Sequence, residues 1–570
     1  MAPPLQQLTR LLRVLPLITL AVFLGPVAAG LVGTLLPAFG YLPALGGDVL
    51  SLEPWRELFR VPGLGRAVAL TLVSGLGATL GALGLTVLIF AAGHGTRAFG
   101  RARRGMTPLL AVPHLALAVG LAFLIAPSGW LARLLAATAT GWQVPPDVAT
   151  VQDPHGLALA LGLLVKETPF LVLVTFAALG QIHADPQLRA ARTMGYGPVT
   201  AWLKVALPQV YPLIRLPVYA VLAYSLSVVD MAIVLAPNAP PPLAPLVLRL
   251  FLDPDLAQRF PAAAGAILQL LLVLAAIALW RGGEMGIAAL ARRMLASGRR
   301  GGSGTGPRIA AWAALGALFG LAGASVLGLL VWSFAGRWRF PDPWPSSLSA
   351  DLWLRQGDTL AGPALTTVLA ALGATLIALA LVVGCLENET RNARRPGSGA
   401  LILIYLPLLV PQIAFLFGVQ VLLAAIHLDG SWTGLIWTHL LFVLPYVFLT
   451  LAEPYRSLDR RYERTALALG RSPGSVWLRV RLPLLLRPLM IAAAIGFAVS
   501  TAQYLPTVFA GAGRLATLAT EALSLAAGGN RRIVGLFAFV LAVLPLLGFA
   551  IALSIPAWRF RDRRAMWVGA

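Results

Sequence analysis

The sequence is short of charged residues, cysteine and histidine, and each shortage excludes a class of protein. Only 12% of its 570 residues are charged while 58% are hydrophobic, and a single soluble core cannot bury so much apolar surface. The one cysteine, Cys385, excludes an intrachain disulfide and a cysteine-based metal site. The six histidines form no cluster with Asp or Glu at ligand spacing, so the sequence predicts neither a membrane-embedded enzyme nor a bound metal or other cofactor.

Lysine is almost absent, yet the chain is strongly basic. Lysine occurs only at positions 166 and 204, and arginine supplies the rest of the 44 basic residues, against 22 acids. A nucleic-acid-binding protein collects its basic residues on a soluble face, whereas here they lie between apolar runs, as in a membrane protein. We therefore expect lipid, and no nucleic acid, around this chain.

Long hydrophobic runs are what the sequence has in abundance. About 20 apolar residues in a helix cross the hydrocarbon layer, because no unpaired backbone group is tolerated in lipid. Twelve stretches meet this requirement, near residues 12–35, 66–93, 106–127, 156–180, 211–236, 263–281, 309–335, 361–385, 400–427, 433–452, 488–511 and 533–555. The predicted fold class is all-α, a polytopic helical membrane protein with about twelve transmembrane helices, six in each half. The first run follows Arg10 and Arg13 but is longer than a signal-peptide core, so we expect it to be retained.

The basic residues are distributed unequally between the two sides of the membrane. If the N-terminus is cytoplasmic, the cytoplasmic segments hold 30 Lys and Arg residues and the opposite loops hold 12. These cytoplasmic segments are 1–13, 94–105, 181–210, 281–308, 386–398, 453–487 and 559–570. Cytoplasmic loops of membrane proteins carry the excess of Lys and Arg, so both termini are predicted to lie in the cytoplasm.

Two segments of the chain, 275 residues apart, repeat each other. RAARTMGYGPVTAWLKVALP (189–208) and RTALALGRSPGSVWLRVRLP (464–483) are identical at nine of twenty positions. The identical pairs are Arg189/Arg464, Ala191/Ala466, Gly195/Gly470, Pro198/Pro473, Trp202/Trp477, Leu203/Leu478, Val205/Val480, Leu207/Leu482 and Pro208/Pro483. Because each copy follows the fourth predicted span of its half, the chain is predicted to be a parallel duplication. The predicted domains are a first transmembrane domain at 1–293, a basic Gly/Ser-rich linker at 294–308 and a second transmembrane domain at 309–570.

Each copy has the residue pattern of a helix, a turn and a second helix. In the first copy Asp185 and Pro186 suit a helix start, and Gly195 suits a turn with positive φ. Pro198 then starts a second helix, and Pro208 is expected to close it. The second copy repeats the scheme with Asp459, Gly470, Ser472 and Pro473. One copy alone is equally typical of an amphipathic helix in the lipid interface, whereas two matched copies in equivalent loops favour a pair of docking sites.

The spacing within the two copies resembles a known loop. It is similar to the E-A-A-x-x-x-G-x9-I-x-L-P loop of the permeases in binding-protein-dependent ABC importers, which have the MetI-like fold. The matching residues are Gly195, Val205, Leu207 and Pro208 in one copy and Gly470, Val480, Leu482 and Pro483 in the other. The sequence departs from the family at the first position, where Arg189 and Arg464 replace Glu, with Glu463 one residue early. Chain length and the two fused halves resemble the iron- and thiamine-type permeases, and most closely the YnjC-like group.

The resemblance implies a function, partners and a location. In that family the loop is a coupling helix that docks on a separate ATPase subunit, two ATPase copies power transport, and an extracytoplasmic solute-binding protein delivers the solute. It implies the bacterial inner membrane, and it makes the residues of the repeated pairs, Leu203 and Leu478 excepted, the expected coupling residues. No G-x-x-x-x-G-K-[ST] phosphate loop occurs in the sequence, so ATP hydrolysis is expected from the partner and not from this chain.

Polar residues inside the predicted spans are candidates for the solute pathway. The candidates are Lys166, Glu167, Ser227, Asp230, Ser500 and Gln503. The first two lie near the middle of the fourth span, and the others lie in the fifth span of their half. The alternative for each is a structural role, as a contact to another helix or an interhelical hydrogen bond. The Pro-rich stretch at 237–246 is predicted to be a rigid external loop that contacts the binding protein.

A second function stays open at this level. A proton- or ion-coupled secondary transporter can also have twelve spans in two parallel halves. The two matched loops favour the ATP-driven importer, since a secondary transporter has no need of a pair of ATPase docking sites.

Overall fold

The computed structural model describes residues 3–302, 304–392 and 397–561. Within these residues the regular structure is helical, and the only extended elements are two isolated β-bridges, which confirms the all-α prediction. The helices of the first half are α1 Pro3–Ala38, α2 Glu53–Arg60, α3 Leu64–Gly93, α4 Arg97–Ala111, α5 His114–Ile125, α6 Trp130–Leu135, α7 Leu157–Leu179, α8 Ala184–Thr193, α9 Pro198–Ala201, α10 Leu207–Ser227, α11 Asp230–Leu235, α12 Leu243–Leu252 and α13 Arg259–Ala296. Those of the second half are α14 Thr305–Phe334, α15 Asp351–Asn392, α16 Ser398–Leu409, α17 Ile413–Ala425, α18 Trp432–Arg456, α19 Arg461–Ala468, α20 Pro473–Val476, α21 Leu482–Thr501, α22 Leu505–Gly511, α23 Leu518–Ala526 and α24 Arg531–Arg559.

Eleven helices in the described ranges are long and apolar enough to cross a membrane, and a bent pair makes twelve if it counts as one span. The bent pair is Leu403–Leu409 with Ile413–Ala425, at an angle of 106°. The expected number of spans is therefore confirmed. Four of the predicted spans, however, are not single helices.

The third predicted span of each half is interrupted at a Val-Pro pair. Helix α4 ends before Val112 and Pro113, and α16 ends before Val410 and Pro411. Proline disfavours helical backbone in the residue that precedes it, and both valines are extended, with ψ of 124° and 126°. The prediction of continuous helices here was wrong, although the proline that interrupts each one is visible in the sequence.

The fifth predicted span of each half also stops early. Helix α10 ends at Ser227 and α11 begins at Asp230, while α21 ends at Thr501 and α22 begins at Leu505. Pro506 lacks the N–H that a continuous helix would use at the second break, and two β-branched valines fill the first. The predicted continuous spans were wrong here too, and each half instead has a broken helix at the same place in its order of elements.

One further short helix comes after α11 and after α22, and the first N–H group of each is bound in the same way. The Leu243 N–H of α12 donates to Thr71 Oγ1 of α3, and the Leu518 N–H of α23 donates to Thr367 Oγ1 of α15, both at 2.8 Å. Helix α12 also corrects a prediction, because residues 243–246 of the Pro-rich stretch are its first turn and not a loop. Pro245 fits there since the first N–H groups of a helix have no intrahelical partner.

The first helix of each half packs on the other half. Helix α1 lies against α17, and α14 lies against α5. Small residues permit this approach: a Cβ on Gly33 would be 2.9 Å from the Cα of Gly418, and one on Gly120 would meet the carbonyl of Ser325. Small residues at helix contacts are typical of membrane proteins. These contacts between α1 and α17 and between α14 and α5 join the two halves. The repeated segments lie elsewhere, between the fourth and fifth spans of each half.

Candidate functional site

The repeated segments form two helix–turn–helix elements, which we call the first loop (residues 181–210) and the second loop (residues 453–487). In the first loop α8 leads through a turn at Gly195 to α9, and in the second α19 leads through Gly470 to α20. The φ angles of these glycines are +85° and +78°. A residue with a Cβ is strained in that conformation, so the turn requires glycine in both loops.

The second helix of each loop runs without a stop into the fifth span. A π turn, Trp202–Ala206 or Trp477–Arg481, joins α9 to α10 and α20 to α21. The N–H of Leu207 or Leu482 donates to the tryptophan carbonyl five residues earlier. The prediction that Pro208 closes the helix was wrong, because this proline follows a turn in which the usual i→i−4 hydrogen bonds are already replaced. Such π turns are frequent at functional sites.

The ends of the loop helices differ in part from the expected caps. Asp185 lies inside the first turn of α8, and not before it, and its carboxylate is 3.5 Å from His94 Nε2. Burial lowers the pKa of His94, against the opposing effect of Asp185. In the second loop Asp459 accepts the N–H of Arg461 at 2.9 Å, and this bond holds the pKa of Asp459 below its usual value. Ser472 caps α20 as expected, accepting the Ser475 N–H.

Apolar contacts hold the first loop. Leu188, Ala191 and Trp202 are buried in one cluster with Phe90 and Phe99. The rings of Trp202 and Phe90 are 5.9 Å apart. Helix α8 therefore turns one apolar face to the ends of the neighbouring spans, and burial of that face stabilises the loop at about 25 cal/mol per Å² of apolar surface.

Ionic contacts hold the second loop. The buried Arg481 guanidinium lies 3.0 Å from Glu387 and 3.3 Å from Glu463, and 4.5 Å from the centre of the Tyr455 ring. The Tyr455 hydroxyl donates to Glu387 at 2.6 Å, and Arg391 bonds the same carboxylate at 2.7 Å. The Arg481 guanidinium also donates a hydrogen bond to Thr390 Oγ1 at 3.1 Å, while its contact with Glu463 is an ion pair without a hydrogen bond. It fixes α19 and the π turn to the end of α15.

These two sets of contacts occupy equivalent positions. The offset of 275 residues that aligns the loops places Leu188 opposite Glu463 and Ala206 opposite Arg481. Leu188 and Ala206 are buried in the apolar cluster of the first loop, whereas Glu463 and Arg481 form the ion pair of the second. An apolar pair in one copy is therefore a charged pair in the other, on the same backbone.

The remaining predicted coupling residues fall into an exposed and a packed set. Arg189 and Arg464 are exposed on the first helix of their loops. Trp202 is buried and Trp477 is half-buried. Two prolines, Pro208 and Pro473, are also exposed. The other predicted coupling residues are buried or half-buried: Ala191, Pro198, Val205 and Leu207 in the first loop and Ala466, Val480, Leu482 and Pro483 in the second.

The first loop also contacts the predicted linker. The Gly197 N–H donates to the Arg300 carbonyl at 2.8 Å, and Lys204 Nζ donates to the Arg299 carbonyl at 3.0 Å. The side chain of Arg300 lies over Gly195, where a Cβ would be 3.5 Å from it. Around Gly470, the counterpart of Gly195, no heavy atom of the described chain other than its own and those of its two neighbours in sequence lies within 4 Å of the same point. No pattern in the sequence predicts this contact.

Among the polar residues of the spans, Lys166 makes its hydrogen bonds only to backbone carbonyls. Its ammonium donates to the carbonyls of Leu109 at 3.1 Å, Leu110 at 3.0 Å and Val112. These carbonyls end α4, where the break at Pro113 removes their helical partners. A cation at a helix C-terminus is also favoured by the helix dipole. Lys166 is thus a cap on a broken helix. It interacts electrostatically with Glu167 beside it, but the two described side chains form no direct ion pair.

Glu167 belongs to a second group, which we call the membrane cluster: Glu167, His114, Tyr224, Asp230, Tyr446 and Tyr504. Glu167 Oε1 is 3.2 Å from His114 Nε2, and the His114 ring centre is 4.6 Å from that of Tyr224. The two acids interact electrostatically with tyrosines of the second half, Glu167 with Tyr446 and Asp230 with Tyr504. Sequence reasoning missed His114, although an ionisable residue in an apolar run was the available signal.

The other pathway candidates have separate surroundings. Ser227 Oγ donates to the Ala223 carbonyl of its own helix at 2.7 Å. Ser500 Oγ bonds Nδ1 of the buried His439 at 2.8 Å, and Nε2 of that histidine bonds Thr507 at 3.1 Å. Gln503 lies in the break between α21 and α22. Asp230 and Gln503 thus lie at the corresponding breaks, but Ser227 and Ser500 do not play matching parts.

Comparison with known proteins decides the family. The chain is 31% identical over 519 residues, 89% of its length, to the inner membrane ABC transporter permease protein YnjC of Escherichia coli, and it covers 91% of that protein. The chain belongs to the ABC transporter permeases. This permease also matches the molybdenum transport system permease protein ModB of Mycobacterium bovis, at 31% over 148 residues, 24% of the chain and 54% of that protein.

A third relative of the permease is the putrescine transport system permease protein PotI of Escherichia coli, 24% identical over 203 residues, 34% of the chain and 72% of that protein. No protein-family model matches the chain. Its relatives are inner-membrane or transport-system permeases, so the permease is a multi-pass membrane protein. In the part of the chain that the structure describes, no three His, Cys, Asp or Glu side chains are grouped to hold a metal ion.

Proposed function

We propose that this permease is the membrane subunit of an ATP-driven importer and that its two loops dock on two copies of a separate ATPase subunit. An extracytoplasmic solute-binding protein delivers the solute to the opposite face. The observation that carries this proposal is the pair of matched loops. Each has a glycine turn, a π turn and a rigid connection to a fifth span, so a force applied to the loop moves the span.

The source of energy supports the same division of labour. The sequence has no phosphate-binding G-x-x-x-x-G-K-[ST] loop, and the relatives with transport-system names are named as permease proteins of such systems. ATP binding and hydrolysis therefore belong to the partner. In this proposal the chain supplies the pathway and the docking surfaces, and it is not an enzyme.

The orientation and domain plan follow from the same reading. The excess of Lys and Arg puts both termini and both loops on the cytoplasmic side. Residues 1–293 and 309–570 are the two transmembrane domains, and residues 294–308 connect them. Helices α13 and α14 extend into the two ends of this connection, which shortens its irregular part.

The membrane cluster is the proposed lining of the solute pathway. Its acids belong to the first half and two of its tyrosines to the second, so it lies where the halves meet. Asp230 and Gln503 stand at breaks in the fifth spans, and irregular backbone at membrane depth is tolerated where it lines a cavity or is buried in protein. Lys166 and Ser227 have structural partners and are left out of the pathway.

Single cysteines test the docking and the orientation together. In a Cys385→Ala background, cysteine at Tyr196 or Arg471 should cross-link to the ATPase subunit and resist labelling from outside intact cells. A matched control at Trp344, which is exposed on the predicted external side, should label from outside and form no such cross-link. Labelling of either loop cysteine from outside would reverse the topology, and absence of both cross-links would remove the docking proposal.

A further inference from the structure

The first position of each loop motif is positively charged, whereas the family loop that it resembles has a negatively charged Glu there. Arg189 and Arg464 stand there, at equivalent positions and both exposed. Three of the four acids in the two loops have another neighbour: Asp185 lies 3.5 Å from His94, and Asp459 and Glu463 form ion pairs with Arg461 and Arg481. The fourth, Glu453, is exposed at the start of the second loop. Within the described ranges, neither Arg189 nor Arg464 is close enough to a carboxylate to form an ion pair, and Arg464 has only a longer-range electrostatic interaction with Asp459.

Both arginines point away from the body of the protein. In α8 the buried residues are Ala184, Leu188 and Ala191. Because successive residues of a helix are about 100° apart, Arg189 lies on the face opposite these buried residues. In α19 the half-buried residues are Glu463 and Ala466, so Arg464 falls on the corresponding outer side. Glu463, which could have replaced the family Glu, is turned inward and held by Arg481.

The surroundings of these two positions are also basic. The second loop exposes a group of arginines, and the first loop lies beside two more from the linker. The exposed arginines of the second loop are Arg460, Arg461, Arg464, Arg471 and Arg479. Arg299 and Arg300 lie against the turn of the first loop, through their carbonyl contacts to Lys204 and Gly197. A partner surface with the same sign of charge would be repelled at both loops.

We propose that the ATPase subunit presents carboxylates to Arg189 and Arg464, so that the charges at this contact are reversed relative to importers with an acidic loop. The inference rests on the proposed function, because it describes the surface of the partner that the loops dock on. Anionic lipid headgroups are the other source of negative charge. The matched positions favour the protein, since a diffuse attraction to lipid requires no arginine at one given place in both copies.

Charge reversal at one position tests this, with the purified ATPase partner of the permease as the probe. Arg464→Glu and Arg189→Glu should each weaken its affinity for the detergent-solubilised permease, on the order of tenfold to a hundredfold for loss of a charge-assisted bond. The matched control is Arg292→Glu, an exposed arginine near the end of α13, which should bind as the native chain does. Replacing the facing ATPase acid, located by cross-linking to a cysteine at Arg471, with lysine should restore binding to Arg464→Glu.

The outcomes separate this inference from the proposed function. If the native permease does not bind the ATPase, the proposed function fails. If the native chain binds and both reversed variants bind equally well, the function stands and the charge reversal is rejected. A loss of binding that occurs only in nanodiscs with anionic lipid, and not in neutral lipid or detergent, would assign the arginines to the membrane and overturn the inference.

Discussion

The two loops have the same backbone and different chemistry beneath it. The first is packed on aromatic and aliphatic side chains, with Leu188 and Ala206 buried. The second has Glu463 and Arg481 at the same positions and is tied to Glu387. Removing one partner of a buried ion pair strongly destabilises a protein, whereas replacing the whole pair by apolar residues is often neutral for the free energy of folding. The turn and the π turn are therefore the shared features, and the contacts that position them are free to differ.

The loops also differ in what covers them. The linker runs over the turn of the first loop and accepts a hydrogen bond from Gly197. Gly470 and Gly474 of the second loop have open space where a side chain would project. Regions with few buried apolar contacts and exposed backbone open at low free energy. The second loop should therefore open more readily than the first, and the predictions below test the difference.

The largest effect is expected at the turns. Gly195→Val and Gly470→Val should each abolish solute uptake while leaving the permease in the membrane, because a β-branched residue is strained at φ of +85° or +78°. The first variant also meets the Arg300 side chain. Gly474→Val is the matched control, since this glycine has ordinary φ and an open neighbourhood, and uptake should persist. Normal uptake in both turn variants would mean that the turns are not coupling elements.

Next in size is the loss of the ion pair. Arg481→Ala leaves Glu463 without its ion-pair partner, while Glu387 keeps Arg391 and Tyr455. The variant should destabilise the second loop by about 3 kcal/mol, the low end for breaking a buried pair, seen as faster amide exchange in α19 and α20. Arg479→Ala, an exposed neighbour, should change little. Combining Arg481→Ala with Glu463→Leu recreates the first loop's pair and should recover part of the protection. If the double variant exchanges faster than the single one, the two anchoring schemes are not interchangeable.

The tryptophans should show a smaller contrast. Trp202 is buried and Trp477 is half-buried, so Trp202→Ala should cost about 3–5 kcal/mol, as for a buried aromatic, and Trp477→Ala about 2 kcal/mol less. Thermal unfolding in detergent and amide exchange in each loop measure both. Equal losses would show that the second loop is packed as firmly as the first.

Salt should have the smallest effect. The second loop has eight basic residues and the first has three, and the Debye length falls from about 10 Å at 0.1 M salt to about 3 Å at 1 M. ATPase attachment through the second loop, measured in a variant with a disabled first loop, should weaken more with added salt than attachment through the first. Identical salt slopes for the two single-loop variants would remove this electrostatic difference.

Local signals made the loops predictable, and distant contacts did not. Gly195 and Gly470 predict their turns because only glycine adopts a positive φ at little cost in free energy. The spans are predictable from their length and hydropathy alone. The prediction that Pro208 ends its helix was wrong because the helix continues through a π turn. That turn depends on the Trp202 carbonyl and on the packing of the Trp202 side chain, which the sequence does not show. The Lys166 cap and the linker contact at Gly197 join residues about 55 and 100 positions apart, and no pattern in one sequence reports such pairs.

Reconstitution in liposomes tests most directly whether the permease is powered through its loops. We expect solute uptake only when the ATPase subunit, ATP and the solute-binding protein are all present, and none from the permease alone under any imposed gradient. The Gly470→Val variant should fail in the complete system. Uptake by liposomes that contain only this chain, driven by a proton or ion gradient and abolished by an uncoupler, would contradict the importer and identify a secondary transporter.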